Sequence, residues 1–182
     1  AYQERGFFQK AKTFVIPNPT PKISVSNRRE RLSGSVRFLF AGQLEAHKGI
    51  LFLLKAIEKL SIPFELHIVG DGALAKEINN QAELNSQVFF HWFVSLQNLV
   101  HMLSTTDAVI LPSLCYENSP TIIYESFAVG VPVISSKIGG IPELIQNGEN
   151  GYLFAPGNED ELIVALIKVA QNLEYWWTKS EA

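Results

Sequence analysis

The chain has little cysteine, few charges and no long apolar run, and each shortage excludes a class of protein. A single cysteine, Cys115, among 182 residues excludes an internal disulfide and fits a reducing, cytoplasmic compartment. Charged residues make up 18% against 47% hydrophobic residues, a balance typical of a packed domain and not of a disordered chain. The apolar runs are far shorter than the roughly 20 residues that cross a bilayer.

Metal and nucleic-acid sites also lack support in the composition. No cluster of Cys and His has zinc spacing, so we expect no metal. The net charge is −3, which does not favour nucleic acid as a partner. The start, Ala1–Arg5, shows no apolar core after a basic stretch, so we expect no signal peptide. Since the chain also lacks an initiator Met and an opening strand, we expect it to be a piece of something longer.

The length suits one folded domain with two appendages. Residues 1–35 are interpreted as an interdomain linker and N-terminal extension, because alternate prolines at 17–21 fix an extended backbone. The basic cluster within Arg28–Arg31 is either a solvated loop or an interface with a missing partner segment. Residues 36–173 form the predicted domain, and 174–182 a C-terminal tail.

Short apolar strands alternate with helical stripes through the domain. This alternation predicts a Rossmann-like α/β fold with three layers, α/β/α, around a mainly parallel sheet. In such sheets ligands bind beyond the carboxyl ends of the strands. The predicted strands are Val36–Ala41, Phe64–Val69, Val88–Phe90, Ala108–Leu111, Val131–Ser135 and Tyr152–Phe154. The predicted helices are Ile50–Leu60, 73–84, Leu96–Leu103, Pro120–Val129, Pro142–Gln146 and Glu159–Asn172.

The loops after the first two strands contain glycines and a lysine. Gly42 would let the backbone approach a ligand, and Lys48, at the entry of the next helix, would meet an anion there. The alternative is a tight turn with a solvated lysine. Gly70 likewise permits either a turn or ligand approach. Neither a dinucleotide fingerprint nor a Walker A loop is present, which argues against an NAD-dependent enzyme.

The loop after the fourth strand carries the densest set of polar residues. Ser119 can cap the following helix and Pro120 can begin it, so the amides of Thr121 and Ile122 would form an anion cradle. Glu125 lies inside an otherwise apolar helix, where a carboxylate is costly unless paired. Two vicinal hydroxyls of a polyhydroxyl ligand could donate to it. The alternative is a surface carboxylate.

Taken together, the loops resemble the C-terminal, donor-binding domain of a retaining glycosyltransferase of the GT-B fold, in family 4 (group 1). The resemblance covers about residues 36–172, and residues 15–18 look like that family's interdomain linker. Six family motifs occur in the right order. They are Gly42 with Lys48-Gly49; Val69-Gly70-Asp71-Gly72; Glu117 with Glu125; Gly130-Val131-Pro132-Val133-Ile134; Gly139-Gly140 with Glu143; and Asn147-Gly148 with Gly151 and Leu153.

The resemblance implies a role for each motif residue. Glu125 is expected to bind ribose hydroxyls, Glu117 the hydroxyls of the transferred sugar, and Lys48 the diphosphate of the leaving nucleotide. Lys48 and Glu117 are the expected catalytic residues, and no metal or cofactor is expected besides the donor. The donor site is expected to comprise Gly42, Gln43, Lys48, Gly70, Glu117, Asn118, Ser119, Pro120, Thr121, Ile122, Glu125, Gly139 and Gly140.

The implied reaction transfers a hexose from a nucleoside-diphosphate sugar to an acceptor hydroxyl with retention. In the family an N-terminal domain supplies much of the acceptor site, so this chain is expected to be inactive alone. The nucleobase, sugar, acceptor and oligomeric state stay open, and any membrane association would run through the missing domain. The alternatives are a catalytically decayed nucleotide-sugar-binding module, or another GT-B enzyme such as an epimerase or phosphorylase.

Three features of the sequence depart from ordinary expectation. Gln43 stands where the family often has arginine, so one charged phosphate contact is weakened. Trp92 stands where the family usually has glycine, and it either stacks on a base or packs at the domain edge. The adjacent pair Trp176 and Trp177 is unusual on a free surface, so we expect it to pack partly against the absent half.

Overall fold

A computed structural model describes residues 34–179, together with Gly6, residues 10–12, Phe14 and Asn18. The proline-rich linker predicted at 17–21 lies outside the described residues apart from Asn18. The arginine cluster within Arg28–Arg31 lies wholly outside them, so neither interpretation of that cluster is tested.

Six parallel strands form a single sheet in the described part of the chain, and the order across it is β3-β2-β1-β4-β5-β6. Strands β1 and β2 pair along their whole length, from Val36 opposite Phe64 to Ala41 opposite Val69. The sheet is thus entirely parallel where the sequence predicted a mainly parallel one. The strands are β1 Val36–Ala41, β2 Phe64–Val69, β3 Val88–His91, β4 Ala108–Leu111, β5 Val133–Ser136 and β6 Gly151–Phe154.

Helices follow the strands as the alternation predicts, although several are shorter than expected. The helices are α1 Ile50–Ile57, α2 Ala75–Leu84, α3 Leu96–Leu103, α4 Thr121–Ala128, α5 Glu159–Gln171 and α6 Leu173–Lys179. Single 3₁₀ turns occupy Ala46–Lys48 and Ile141–Glu143. The second of these replaces the short α-helix predicted at Pro142–Gln146.

Both faces of the sheet are buried, which explains why the strands read as nearly continuous apolar runs. On one face Phe38 and Phe40 belong to a core shared with α1, α2 and α5. On the other face Leu39 belongs to a separate core shared with α3 and α4. Side chains alternate across a strand, so neighbouring residues of β1 enter different cores. The result is the predicted three-layer α/β/α arrangement.

The strand order places a topological switch point between β1 and β4. From β1 the chain first moves outward through β2 and β3, then returns to β4 on the other side. Parallel sheets open a crevice at the carboxyl ends of two such strands, because their connections leave in opposite directions. The loops after β1 and β4 therefore flank the crevice, and they are the two loops that carry Lys48 and Glu117.

The C-terminal tail differs from the prediction. Leu173–Lys179 is a helix, and Trp176 is only 3% exposed within the core that includes α5. The Trp177 indole donates to Asp107 Oδ1 at 2.7 Å. The expectation of packing against an absent half is therefore wrong for Trp176, which is buried in this domain's own core, while Trp177 is hydrogen-bonded to the residue directly before β4.

Among the described residues, no helix is both long and apolar enough to traverse a lipid bilayer.

Candidate functional site

A cavity of about 470 Å³ opens at the carboxyl edge of the sheet, beside the switch point. It gathers residues from the loops after β1, β2 and β3 and from the start of α4. Six predicted donor-site residues are among those that line it, namely Gly42, Gln43, Gly70, Thr121, Ile122 and Glu125. The cavity is also lined by Ala41, Val69, Asp71, Phe93, Val94 and Leu99.

The floor of this cavity is formed by two loops packed backbone against backbone. Gly42 N donates to Val69 O at 3.0 Å, which extends the β1–β2 pairing past the end of the strands. A Cβ on Gly70 would lie 1.9 Å from Gly42 O, and the φ of Gly70 is +151°. Only glycine fits there. Gly70 therefore serves the contact between loops, while Gly42 remains exposed to the cavity.

The start of α4 differs from the predicted cap. The helix begins at Thr121, and Pro120 occupies the N-cap position without a side-chain cap hydrogen bond. The Ser119 hydroxyl pairs with the Tyr124 hydroxyl at 2.8 Å. The prediction that Ser119 caps the helix is therefore wrong. Since first-turn amides have no partner inside the helix, the N-terminus of α4 retains donors for an incoming anion.

Glu125 lies one turn further along α4, on the wall of the cavity. It is partly buried, and burial raises the pKa of its carboxyl group above the usual range. No hydrogen bond or ion pair to this carboxylate is found among the described residues. The helix thus presents a desolvated acceptor to the cavity, and a ligand with hydroxyl donors would supply the missing partners.

Lys48 and Glu117 meet across the switch point. Lys48 Nζ lies 2.6 Å from Glu117 Oε1, and the two side chains are 23% and 12% exposed. Ser113 Oγ donates to the same oxygen at 2.9 Å. The lysine is therefore neither solvated nor part of an isolated turn. It belongs to a partly buried cation–carboxylate pair at the switch point, and neither residue of the pair is among those that line the cavity.

The two loops that carry this pair are fixed to each other. Leu114 N donates to His47 O at 2.8 Å. A Cβ on Gly49 would lie 1.9 Å from Pro112 O, and Gly49 has a φ of +75°. These contacts hold the turn containing Lys48 against the end of β4. The distance between Lys48 and Glu117 is thus set by backbone contacts as well as by their own attraction.

The third predicted loop, Gly139-Gly140, packs on the Glu117 loop. Gly140 N donates to Glu117 O at 2.8 Å. A Cβ on Gly140 would lie 2.2 Å from Asn118 O, and one on Gly139 would lie 1.9 Å from Glu117 O. The glycines therefore let one loop approach another through the backbone.

One residue of the predicted linker reaches this region. Asn18 Nδ2 donates to Ser119 O at 2.8 Å, immediately before α4. The linker asparagine therefore contacts the segment that leads into the helix N-terminus.

The aromatic residues after β3 divide between two surroundings. Trp92 is 53% exposed and meets the Phe90 ring edge-on, with centroids 5.0 Å apart. It is not among the residues that line the cavity, whereas the next residue, Phe93, lines it and is 80% exposed. Sequence reasoning missed Phe93. The sequence does show a second aromatic residue, next to Trp92, in the loop after β3, and this could have indicated Phe93.

Ser113 is the second residue that sequence reasoning left without a role. It is completely buried directly after Pro112, and a buried polar side chain at the carboxyl end of a strand was the signal. Among the described residues, no group of three or more His, Cys, Asp or Glu is placed to hold a metal ion.

The fold and crevice define a class of domain: a Rossmann-like parallel α/β domain of the kind that forms the C-terminal half of the GT-B fold. The sequence matches the family described as glycosyl transferases group 1 over residues 25–175. The chain belongs to this family, and the family resemblance inferred from the motifs is confirmed.

Two curated relatives show the same relationship in sequence. The amylovoran biosynthesis glycosyltransferase AmsK of Erwinia amylovora is 30% identical, with 88% of this chain and 45% of AmsK covered. The UDP-Gal:alpha-D-GlcNAc-diphosphoundecaprenol alpha-1,3-galactosyltransferase of Escherichia coli is 31% identical, with 88% of this chain and 46% of the relative covered. The chain spans about half the length of these relatives.

Two solved structures show the same fold. The lipopolysaccharide outer core galactosyltransferase WaaB, in its apo form, matches with a TM-score of 0.80 and 23% identity over 98% of this chain and 53% of WaaB. HepE from Anabaena, in complex with UDP-glucose, matches with a TM-score of 0.67 and 26% identity over 81% of this chain and 43% of HepE.

Proposed function

We propose that this chain is the donor-binding domain of a transferase that moves a hexose from a nucleoside-diphosphate sugar to an acceptor hydroxyl, with retention at the anomeric carbon. The observation that carries the proposal is the cavity beside the switch point. Its lining includes a helix N-terminus without a side-chain cap and a carboxylate that has no partner among the described residues. HepE, whose structure holds UDP-glucose, supports the ligand class.

In this proposal Glu125 binds the ribose of the nucleotide. Its carboxylate lacks donors in the described structure, and burial disfavours its charge. Two vicinal ribose hydroxyls would donate to its two oxygens and restore the solvation that the ionised form has lost. Gly42 and Gly70 supply a floor without side chains, on which the nucleoside would lie.

Lys48 and the amides of Thr121 and Ile122 bind the diphosphate. A lysine and a helix N-terminus both favour a negative charge, and charge grows on the diphosphate as the glycosidic bond breaks. Lys48 is paired with Glu117 before the donor arrives, so the diphosphate would compete for the same ammonium. We propose that these groups neutralise the leaving group without a metal ion, which transfer measured in the presence of EDTA would test.

Glu117 binds hydroxyls of the transferred sugar, beside Asn118, Ser119 and Pro120. Gly139 and Gly140 hold this loop through the backbone of Glu117 and Asn118. Gln43 lines the cavity with a neutral amide, so it offers hydrogen bonds to a phosphate without charge. The alternative of a decayed binding module is not supported, because Glu125 lines the cavity and Lys48 and Glu117 are paired at the switch point.

The acceptor is proposed to enter from a partner half that corresponds to the remaining length of the relatives. We therefore expect this chain alone to bind a nucleotide sugar and to transfer nothing. The relatives' names place UDP-galactose and UDP-glucose first among the donors to test. Retention is checked in the complete enzyme by NMR of the anomeric configuration of its product.

Calorimetric titration of the 182-residue chain with UDP, GDP and ADP tests donor binding directly. We expect one nucleotide to bind, with an affinity in the millimolar range or better. Lys48→Ala should weaken UDP binding by about tenfold, as expected for a charged hydrogen bond of about 1.5 kcal/mol, and should leave uridine binding unchanged. Lys55→Ala is the matched control, because Lys55 pairs with Glu159 and is not among the residues that line the cavity. The absence of binding to all three nucleotides would contradict the proposed function.

A further inference from the structure

Ser113 is a buried hydroxyl whose partner is a charge. It is 0% exposed at the carboxyl end of β4, and its Oγ donates to Glu117 Oε1 at 2.9 Å. The equally buried Ser126 and Ser135 donate instead to backbone carbonyls, those of Ile122 and Leu111. A buried hydroxyl needs an acceptor, and the acceptor of Ser113 is a carboxylate where those of Ser126 and Ser135 are backbone groups. Its contact with Glu117 therefore has a consequence beyond burial.

The donors to Glu117 converge on one of its two oxygens. Lys48 Nζ lies 2.6 Å from Oε1, the oxygen that Ser113 also contacts. Each oxygen of an ionised carboxylate accepts about two hydrogen bonds, so Oε1 is filled. Among the described residues no donor to Oε2 is found. The carboxylate is thus half satisfied by the protein, with the second oxygen left for a ligand.

The backbone of Glu117 is held independently of its side chain. Gly140 N donates to Glu117 O at 2.8 Å, and the Gly139 backbone packs so closely that a Cβ there would lie 1.9 Å from the same oxygen. With the backbone fixed by this loop, the direction of the carboxylate depends on the groups that hold Oε1.

We propose that Ser113 is a positioning residue that fixes the Glu117 carboxylate, so that Oε2 faces the hydroxyls of the donor's sugar. The inference rests on the proposed function, in which Glu117 binds that sugar and Lys48 turns to the diphosphate. Once Lys48 has turned away, Ser113 is the remaining donor to Oε1 among the described residues. Its contribution is therefore largest when the sugar is bound, and it does not extend to the nucleoside.

The test compares two ligands that differ only in the sugar. Ser113→Ala is titrated with UDP and with UDP-glucose, beside wild type and Ser135→Ala, which removes an equally buried hydroxyl from the adjacent strand. We expect Ser113→Ala to bind UDP within about twofold of wild type and UDP-glucose about three- to tenfold more weakly, a part of the value of a charged hydrogen bond. Ser135→Ala should leave the ratio of the UDP affinity to the UDP-glucose affinity as it is in wild type.

Ser113→Cys distinguishes the effect of losing the hydrogen bond to Glu117 from the effect of losing side-chain volume. Cysteine fills nearly the same space and donates only weakly, so we expect it to behave like Ser113→Ala while it remains folded. The inference is overturned if both variants bind UDP-glucose as wild type does, or if they lose UDP and UDP-glucose affinity equally. Failure of the wild-type chain to bind any nucleotide would instead refute the proposed function. The Ser113 variants therefore test this inference, and the wild-type chain tests the proposed function.

Discussion

The carboxylates at the two edges of the sheet differ in how far the protein satisfies their hydrogen bonds. At the amino edge, both carboxylate oxygens of Asp107 are used: Oδ2 accepts from Arg37 N at 2.8 Å and Oδ1 from the Trp177 indole at 2.7 Å. At the carboxyl edge, Glu125 has no described donor and Glu117 uses one oxygen. At the amino edge α6 supplies a donor to Asp107, whereas at the carboxyl edge Glu125 lines a cavity without a described donor.

This difference separates stability from binding. A carboxylate whose two oxygens both accept hydrogen bonds contributes to folding, whereas a partly buried one without partners opposes it. The carboxyl edge also packs its loops through glycine backbones, as at Gly70 and Gly140, so that few side chains fill the crevice. We therefore expect substitutions at the amino edge to change stability alone and those at the carboxyl edge to change mainly affinity.

The largest expected effect is at the amino edge. Trp176→Ala removes a side chain that is 3% exposed and packs edge-on against Tyr152, with centroids 5.9 Å apart. The free energy of unfolding in urea should fall by about 3–5 kcal/mol, the usual cost of deleting a buried tryptophan. Trp92→Ala, which removes a half-exposed tryptophan, should cost much less. The contrast between the edges fails if Trp176→Ala weakens UDP binding by the protein that remains folded.

Next in size is a change at the carboxyl edge. Glu125→Gln keeps the shape of the side chain but removes the charge that ribose hydroxyls would contact. Calorimetry should show nucleotide affinity reduced by about 1.5–3 kcal/mol, with no loss of stability. Glu77→Gln, on the exposed first turn of α2, serves as the control. Unchanged affinity in Glu125→Gln would remove the role assigned to this carboxylate.

Asp107 provides the corresponding change at the amino edge. Asp107→Ala leaves the Arg37 amide and the Trp177 indole without this acceptor, and we expect unfolding free energy to fall by about 1–3 kcal/mol. Trp177→Phe removes one of the two donors, so the double variant should lose less than the sum of the single losses. A fully additive result would show that the indole and the carboxylate do not act together.

The smallest expected effect is the pH dependence of stability. Because burial raises the pKa of Glu125, the folded chain binds this proton more tightly than the unfolded chain does. This residue's contribution to unfolding free energy therefore falls as pH rises from about 4.3 through the raised value. In urea unfolding at several pH values, the unfolding free energy of Glu125→Gln should rise relative to that of wild type over that interval. A constant difference between the two proteins would mean that Glu125 is effectively solvated.

Much of the fold could be predicted because its signals are local. Apolar runs bounded by glycine and proline marked β1, β2 and β4 at the observed limits, and the spacing in Leu96–Leu103 marked α3. The predicted ends of α1 and α4 were wrong: α1 ends at Ile57 before the predicted Leu60, and α4 is one residue shorter at each end. Hydrogen bonds and packing set helix ends as much as side-chain pattern does. The predicted cap at Ser119 was wrong for this reason, because the Ser119 hydroxyl pairs with the hydroxyl of Tyr124 in the next turn of the helix.

The sequence by itself determined the class of fold, the family and the loops that carry chemistry, because strand–helix alternation and motif spacing are properties of neighbouring residues. Tertiary structure decided which of those residues meet. It paired Lys48 with Glu117 across the switch point, buried Ser113 against the same oxygen and left Glu125 without a described partner. It also turned Trp176 inward. The pairing of Lys48 with Glu117 joins residues 69 positions apart, and the burial of Ser113 and Trp176 depends on how distant elements pack, which no local pattern encodes.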